Sequence, residues 1–284
     1  ELDLGIGIET TTGPLGQCIG NAVGMALAEK ILSAKFNQAD GLNPIDHYTY
    51  TFLGDGCLME GISHEVCSFA GTHKLGKLIC FYDQNGISID GEITNWFTDN
   101  TVQRFASYNW QVLEVDGHNV EQILEAIKNA QEESNQPTLI CCKTKIGFGS
   151  PDKAGTSGVH GSPLGDEEIA KTRNQLGWEH EPFDIPANIK SQWDARDSGS
   201  KHNSDWDMLM KEYSKIHPEL FKELERLINN ELPNDFEKCY EEFIKELVAG
   251  DQKDLATRKA SEICLNFFCE LLPCLLYTSD AADE

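Results

Sequence analysis

Basic residues are scarce in this chain: 23 Lys and Arg stand against 47 Asp and Glu, a formal net charge of −24 over 284 residues. A surface of that sign repels phosphate backbones at long range, so general nucleic-acid binding is not expected. A phosphorylated small substrate would need a local basic pocket or a metal ion. Long apolar runs are missing too. None approaches the roughly 20 residues of a membrane span, so no membrane partner is expected. No basic segment followed by an apolar one opens the sequence, and no secretory signal is visible. The ten cysteines include no C-x-x-C pair, which leaves a zinc cluster little support. Reduced, mostly buried thiols in a cytoplasmic protein are the expectation. An initiator Met is also lacking. The chain starts at Glu1, which suggests a fragment, although a processed protein would start the same way.

What is present is ordinary for a globular protein: 40% of residues are hydrophobic and 25% charged. The first half alternates helical and strand patterns. Gly13-Pro14 opens a run from Leu15 to about Phe36 with Ile19, Val23, Ala26, Leu27 and Ile31 on one face, which predicts a helix. His47–Leu53 is β-prone and stops at Gly54-Asp55-Gly56. Met59 to about Ala70 predicts a helix. Leu78–Tyr82 is a short apolar strand followed by a turn signal at Asp83-Gln84-Asn85-Gly86. Trp110–Val115 predicts a strand, Val120–Glu133 an amphipathic helix, and Pro137–Lys143 a further strand. This order implies βαβ units: an α/β fold with a parallel sheet and helices on both faces.

Beyond Ile146 the pattern changes. Gly147–Gly165, rich in Gly, Ser and Pro, predicts a long loop of the kind that is usually functional or disordered. From about Pro186 to Gly250 the chain is polar, acidic and helical, as expected of a surface connector between domains. Asp251–Pro273 begins another helix. The last eleven residues, CLLYTSDAADE, resemble the in-frame translation of a sequencing-library adapter; a divergent natural tail is the other reading.

The chemistry concentrates at Gly54-Asp55-Gly56 and at Asn85, thirty positions after Asp55. Both lie at C-terminal ends of predicted strands, the edge where parallel sheets bind ligands. Small residues let a ligand approach the backbone. Asp55 offers a hard carboxylate oxygen, Asn85 an amide oxygen, and Gly86 permits a tight turn that can aim the Ile87 carbonyl back at them. Two diphosphate oxygens and a water would complete the octahedron that Mg²⁺ demands. Cys57, His64 and Cys67 do not converge on a helix and are not expected to bind metal. Read alone, Gly13-Pro14 is a plain helix start, Glu60 a helix-start acid favourable to the dipole, and His160 a solvated loop histidine. His47, His64, His73, His118, His180, His202 and His217 carry no functional expectation.

GDG followed by Asn at this spacing resembles the thiamine diphosphate motif. The strings DHYTYTFLGDGCLMEGISHEVCSFAGTHKLGKLI, FYDQNGISIDG, ETTTGPLGQCIGNAVGMALAEK and GFGSPDKAGTSGVHGSPLG resemble transketolases, and the likeness runs from about Ile8 to Pro273. The resemblance implies a diphosphate-binding domain over 1–186, truncated at its N-terminus, a helical connector over 187–250, and the start of a pyrimidine-binding domain over 251–273. It leaves 274–284 outside the family pattern, as a non-native, adapter-derived tail. It implies thiamine diphosphate and Mg²⁺, with Ca²⁺ or Mn²⁺ as alternatives, as cofactors. Asp55, Asn85 and the Ile87 carbonyl would be metal ligands, and the Gly56 backbone a diphosphate contact. Gly13, Pro14 and Leu15 would line the cofactor, Glu60 would lie near a subunit interface, and His160 would act at the cofactor's reactive end. Sugar phosphates would be substrates of a homodimeric parent that moves a two-carbon ketol unit. The cofactor glutamate of the second domain, and N-terminal histidines, would lie outside this chain, so the fragment alone is expected to be inactive. One departure stands in KAGTSGVHG, where relatives often carry another His before His160. Dihydroxyacetone synthase, a ketoacid dehydrogenase subunit and a non-catalytic cofactor-binding subunit remain as alternatives.

Overall fold

The computed structural model describes residues 10, 13–250 and 255–272; the adapter-like tail lies outside them. Cα packing divides the chain into two compact units, Glu1–His202 and Asn203–Glu284.

In the first unit, helix α1 (Gln17–Phe36) leads to strand β1 (Thr49–Gly54), a short helix α2 (Asp55–Met59) and helix α3 (Gly61–Thr72). Strand β2 (Leu78–Gln84) follows, then a two-stranded antiparallel hairpin of β3 (Ile87–Ser88) and β4 (Gly91–Glu92). Helix α4 (Thr101–Ser107), strand β5 (Gln111–Asp116), helix α5 (Val120–Glu132) and strand β6 (Thr138–Lys143) complete the sheet region. The long strands form one all-parallel sheet in the order β1-β2-β6-β5. The expected α/β architecture is therefore present.

The continuous apolar strands explain the two-sided core. Successive side chains alternate faces, so Leu78, Cys80 and Tyr82 of β2 join Leu139 and Cys141 of β6 against α1 and α3. Ile79, Phe81, Ile140 and Cys142 face the other way, where Ala126 and Ala130 of α5 cover them. Adjacent Cys141 and Cys142 thus belong to opposite layers. The cysteines among the described residues are free thiols. Burial raises the Cys67 and Cys141 thiols to about 12, which keeps them protonated and unreactive.

Cover on the second face is incomplete at the edge strand. On β1, Thr49, Thr51 and Leu53 are buried while Phe52 is 73% exposed. Phe52 stacks on Phe81, at 4.8 Å between ring centroids.

Three local differences from the sequence pattern matter for the site. The helix expected from Met59 is broken at Glu60, whose extended backbone separates α2 from α3. Helix α4 was not foreseen, although Asn100 caps it by accepting the Gln103 N–H at 3.0 Å. Helix α6 (Asp166–Leu176) follows the long loop and stops at Gly177 in the left-handed conformation.

Beyond α6 come α7 (Ala187–Trp193) and α8 (Arg196–Ile216), within which the first unit ends. The second unit continues through α9 (Pro218–Ile228), α10 (Phe236–Ala249) and α11 (Thr257–Leu271). Phe243 of α10 stacks on Phe267 of α11 at 4.1 Å. No helix among the described residues is long and apolar enough to cross a membrane.

Candidate active site

Parallel pairing puts Gly54, the last residue of β1, directly beside Asp83 near the end of β2. The chain segments following the two strands are thereby forced together at the C-terminal edge of the sheet. Asp55, the first residue after β1, is buried and takes two hydrogen bonds from the β2 side of this junction. The Tyr82 hydroxyl donates to Oδ1, and the Gly86 backbone N–H donates to Oδ2 at 2.9 Å. Gly86 holds φ at +72°, the left-handed turn that suits glycine. In the same turn Asn85 Oδ1 accepts the Ile87 N–H at 3.0 Å, so the amide oxygen is fixed in place and retains a second lone pair. Asp55, Asn85 and Ile87 are thus parts of one connected junction.

Burial pushes the Asp55 carboxyl above its usual value; the Tyr82 hydroxyl and the Gly86 N–H oppose this, and the nearby Asp83 charge adds to it. Burial and the Asp55 bond drive the Tyr82 hydroxyl upward as well, so it stays a donor. A buried carboxylate beside a second acid, with an oriented amide oxygen in the adjoining turn, offers the hard oxygen donors that suit a divalent cation. No group of three or more His, Cys, Asp or Glu among the described residues could hold a metal ion.

The turn before α1 lies against the same region. Gly13, Pro14 and Leu15 line a cleft of about 620 Å³ together with Gly54, Cys57 and Asp83. A Cβ on Gly56 would stand 3.0 Å from Leu15 Cδ1. Gly16, at φ +81°, lies so close to Glu60 that a Cβ there would fall 2.9 Å from the Glu60 Cβ. The structure therefore gathers Gly13, Pro14, Leu15, Gly56 and Glu60 around the end of β1. Among the described residues, His160 shares no hydrogen bond with this group. It is exposed, it follows a 3-10 turn at Ser157–Val159, and its backbone N–H donates to the Ser157 carbonyl at 3.0 Å. None of the contacts named above includes it.

His64, set aside as a metal ligand, has other partners. Its Nδ1 lies 3.1 Å from the Tyr108 hydroxyl and its Nε2 lies 3.3 Å from Arg104 Nη1. Two polar residues escaped the sequence reading. Tyr82 stood within an apolar strand, and Glu168 carried no signal of its own. The only signal for Tyr82 was its place just before the Asp83–Gly86 turn.

Comparison with known proteins shows the family of the chain. Residues 1–233 match the family model described as transketolase, thiamine diphosphate binding domain. Transketolase 2 of Escherichia coli K12 is 55% identical over 271 residues, which is 95% of this chain and 40% of that protein. The chromosomal transketolase of Cupriavidus necator is 53% identical over 279 residues, or 97% of this chain and 41% of that protein. Among solved structures, a Pichia stipitis transketolase in complex with sedoheptulose 7-phosphate aligns with a TM-score of 0.83 at 39% identity, covering 93% of this chain and 38% of that one. The transketolase of Leishmania mexicana aligns with the same score at 37% identity, covering 94% and 39%. The chain thus spans about two-fifths of the length of the relatives it matches.

Proposed function

Because the chain belongs to the transketolase family, through its thiamine diphosphate-binding domain, we propose that the β1–β2 junction holds the diphosphate end of that cofactor through a divalent cation. Asp55, Asn85 and the Ile87 carbonyl are the protein ligands of the ion, with Mg²⁺ the expected metal and Ca²⁺ or Mn²⁺ as substitutes. Their oxygens suit a hard cation, and a diphosphate supplies the remaining negative charge. Gly56 lets the diphosphate approach the backbone, and Gly13, Pro14 and Leu15 border the cofactor's cleft. Glu60 stands near a subunit interface of a homodimeric whole. His160 donates hydrogen bonds or moves protons at the reacting end.

When bound, thiamine diphosphate supplies a carbon that accepts and releases a two-carbon ketol unit. The proposed reaction of the whole protein moves that unit from a ketose phosphate to an aldose phosphate, a cytoplasmic sugar rearrangement of the pentose phosphate type. The sugar phosphate seen on the Pichia stipitis relative supports this substrate class. The chain alone is proposed to be inactive, because the greater part of the relatives' length is outside it.

The observation that carries this reading is the pair of hydrogen bonds that tie Asp55, just after β1, to Tyr82 and Gly86 at the end of β2. Isothermal titration of the chain with thiamine diphosphate and Mg²⁺ tests it. Binding that needs the metal and disappears in Asp55→Ala is the expected result; binding untouched by that substitution would overturn the site. A ketol-transfer assay on the same chain is expected to show no turnover.

A further inference from the structure

Glu168 is a buried charge on a helix whose other first-turn acids face water. A first-turn acid needs no burial to benefit from the helix dipole, so its enclosure has another cause. Its Oε1 accepts from the Ser150 hydroxyl and, at 2.9 Å, from the Asp152 backbone N–H. Lys171 Nζ lies 3.9 Å from Oε2 and forms the shorter bond, 2.6 Å, to Asp152 Oδ2. The carboxylate is therefore bonded to the long loop that precedes α6.

From there a series of hydrogen bonds runs along the loop. The buried Ser150 accepts the Lys153 N–H at 3.2 Å. The Lys153 carbonyl accepts the Thr156 hydroxyl at 2.7 Å and its N–H at 3.3 Å. Thr156 O accepts the Val159 N–H at 3.4 Å, and Ser157 O accepts the His160 N–H at 3.0 Å. Lys153 Nζ also reaches across to the Leu164 carbonyl at 2.7 Å, closing the far side. A segment that reads as irregular is an ordered loop, held to α6 through the Glu168 carboxylate and to its own start by the Gly155 N–H, which donates to the Ile146 carbonyl at 2.8 Å, with His160 near its far end.

We infer that Glu168 is a positioning residue: it clamps the loop over 147–165 to α6 and so fixes the place of His160. The role given to His160 is that of the preceding subsection; the clamp is a separate claim. Losing a charge-assisted anchor frees the loop locally while the sheet stays closed.

Hydrogen exchange on the full chain tests the clamp. Glu168→Ala is expected to speed exchange of the amides of Asp152, Lys153, Thr156, Val159 and His160 by at least about tenfold, with β2 and β6 unchanged. Glu168→Gln, whose carboxamide oxygen still accepts, is expected to stay within about threefold of the native rates. Should Glu168→Ala fail to fold, Ser150→Ala removes one bond to the same carboxylate and is read in the same way. Native exchange rates in the loop would overturn the clamp. So would acceleration spread evenly over the sheet.

In a chain of the relatives' full length, Glu168→Ala is expected to lower kcat and Glu168→Gln to restore it. Adding Glu168→Ala to His160→Ala should cost no further turnover; fully additive losses would overturn the link to His160. Normal turnover by His160→Ala alone would instead overturn the role proposed for that histidine, and the exchange rates would still decide the clamp.

Discussion

Gly86 donates its backbone N–H to Asp55 Oδ2 at 2.9 Å, so the turn after β2 is bonded directly to the first residue after β1. This single contact brings two distant sequence signals together. It depends on the register that sets Gly54 beside Asp83. A slip of one residue would move Tyr82 to the other face of the sheet and remove the second donor.

Tyr82→Phe isolates that second donor with little change in volume. The hydroxyl is one of the groups holding down the Asp55 pKa against burial. Without it the buried carboxylate is harder to ionise, and its second oxygen loses a fixed orientation. Metal-dependent thiamine diphosphate affinity is expected to fall about tenfold, in the range of a lost hydrogen bond to a charged group. Titration calorimetry reads the change; an unaltered Kd would remove Tyr82 from the site.

Gly56→Ala separates stability from binding. Gly56 lies inside α2, and its added methyl would meet only the flexible end of Leu15 at 3.0 Å. Ala is the better helix former by about 1 kcal/mol, so the melting temperature of the metal-free chain should hold or rise. Cofactor binding should nevertheless weaken, because the methyl stands where the diphosphate is proposed to approach. Tight binding in a stable Gly56→Ala chain would argue that the diphosphate lies elsewhere.

Gly71→Ala should have the opposite profile. A Cβ there would lie 1.6 Å from the Tyr108 carbonyl oxygen, a backbone atom that cannot rotate aside. Helix α3 would have to lift off the turn that carries Trp110, whose indole N–H donates to the Cys67 carbonyl at 2.8 Å. Overpacking of this kind costs about 3 kcal/mol. Urea denaturation should show a lower midpoint, and a midpoint equal to the native chain's would contradict the close packing of α3 on that turn.

The parts of the fold that announce themselves in sequence are those with strong local chemistry. LICFY and TLICC are continuous apolar runs, and they become the central strands β2 and β6, buried on both faces. The Asp55 and Asn85 signals survive because each sits at a strand end, where topology alone brings them to one edge. What was missed depends on distant partners or on elements too short for a period. Helix α4 spans seven residues, fewer than two and a half turns would need to show a stripe. The break at Glu60 leaves only Met59 of the expected helix on the α2 side, too short a stretch for a period to reveal it. The Tyr82 hydroxyl looked superfluous until the register put Asp55 beneath it.

Glu168 was invisible for a related reason: an acid in a first helical turn usually faces water, and only the returning loop encloses this one. The Ser150 hydroxyl, followed by the Asp152 N–H, holds its carboxyl below the usual range, and Lys171 does the same for Asp152. For an acid with a lowered folded-state pKa, the native chain binds fewer protons than the unfolded one, so stability rises with pH across the gap. The contribution is complete above the ordinary glutamate value of about 4.3 and disappears as pH falls through the lower folded value. The loop over 147–165 should therefore loosen in acid before the sheet does. Hydrogen exchange, corrected for intrinsic rates, should show protection of the Lys153 and Thr156 amides falling below about pH 4. In Glu168→Gln most of that acid response should vanish, leaving only the part due to Asp152. Identical acid profiles for the native chain and Glu168→Gln would mean that this carboxylate does not hold the loop.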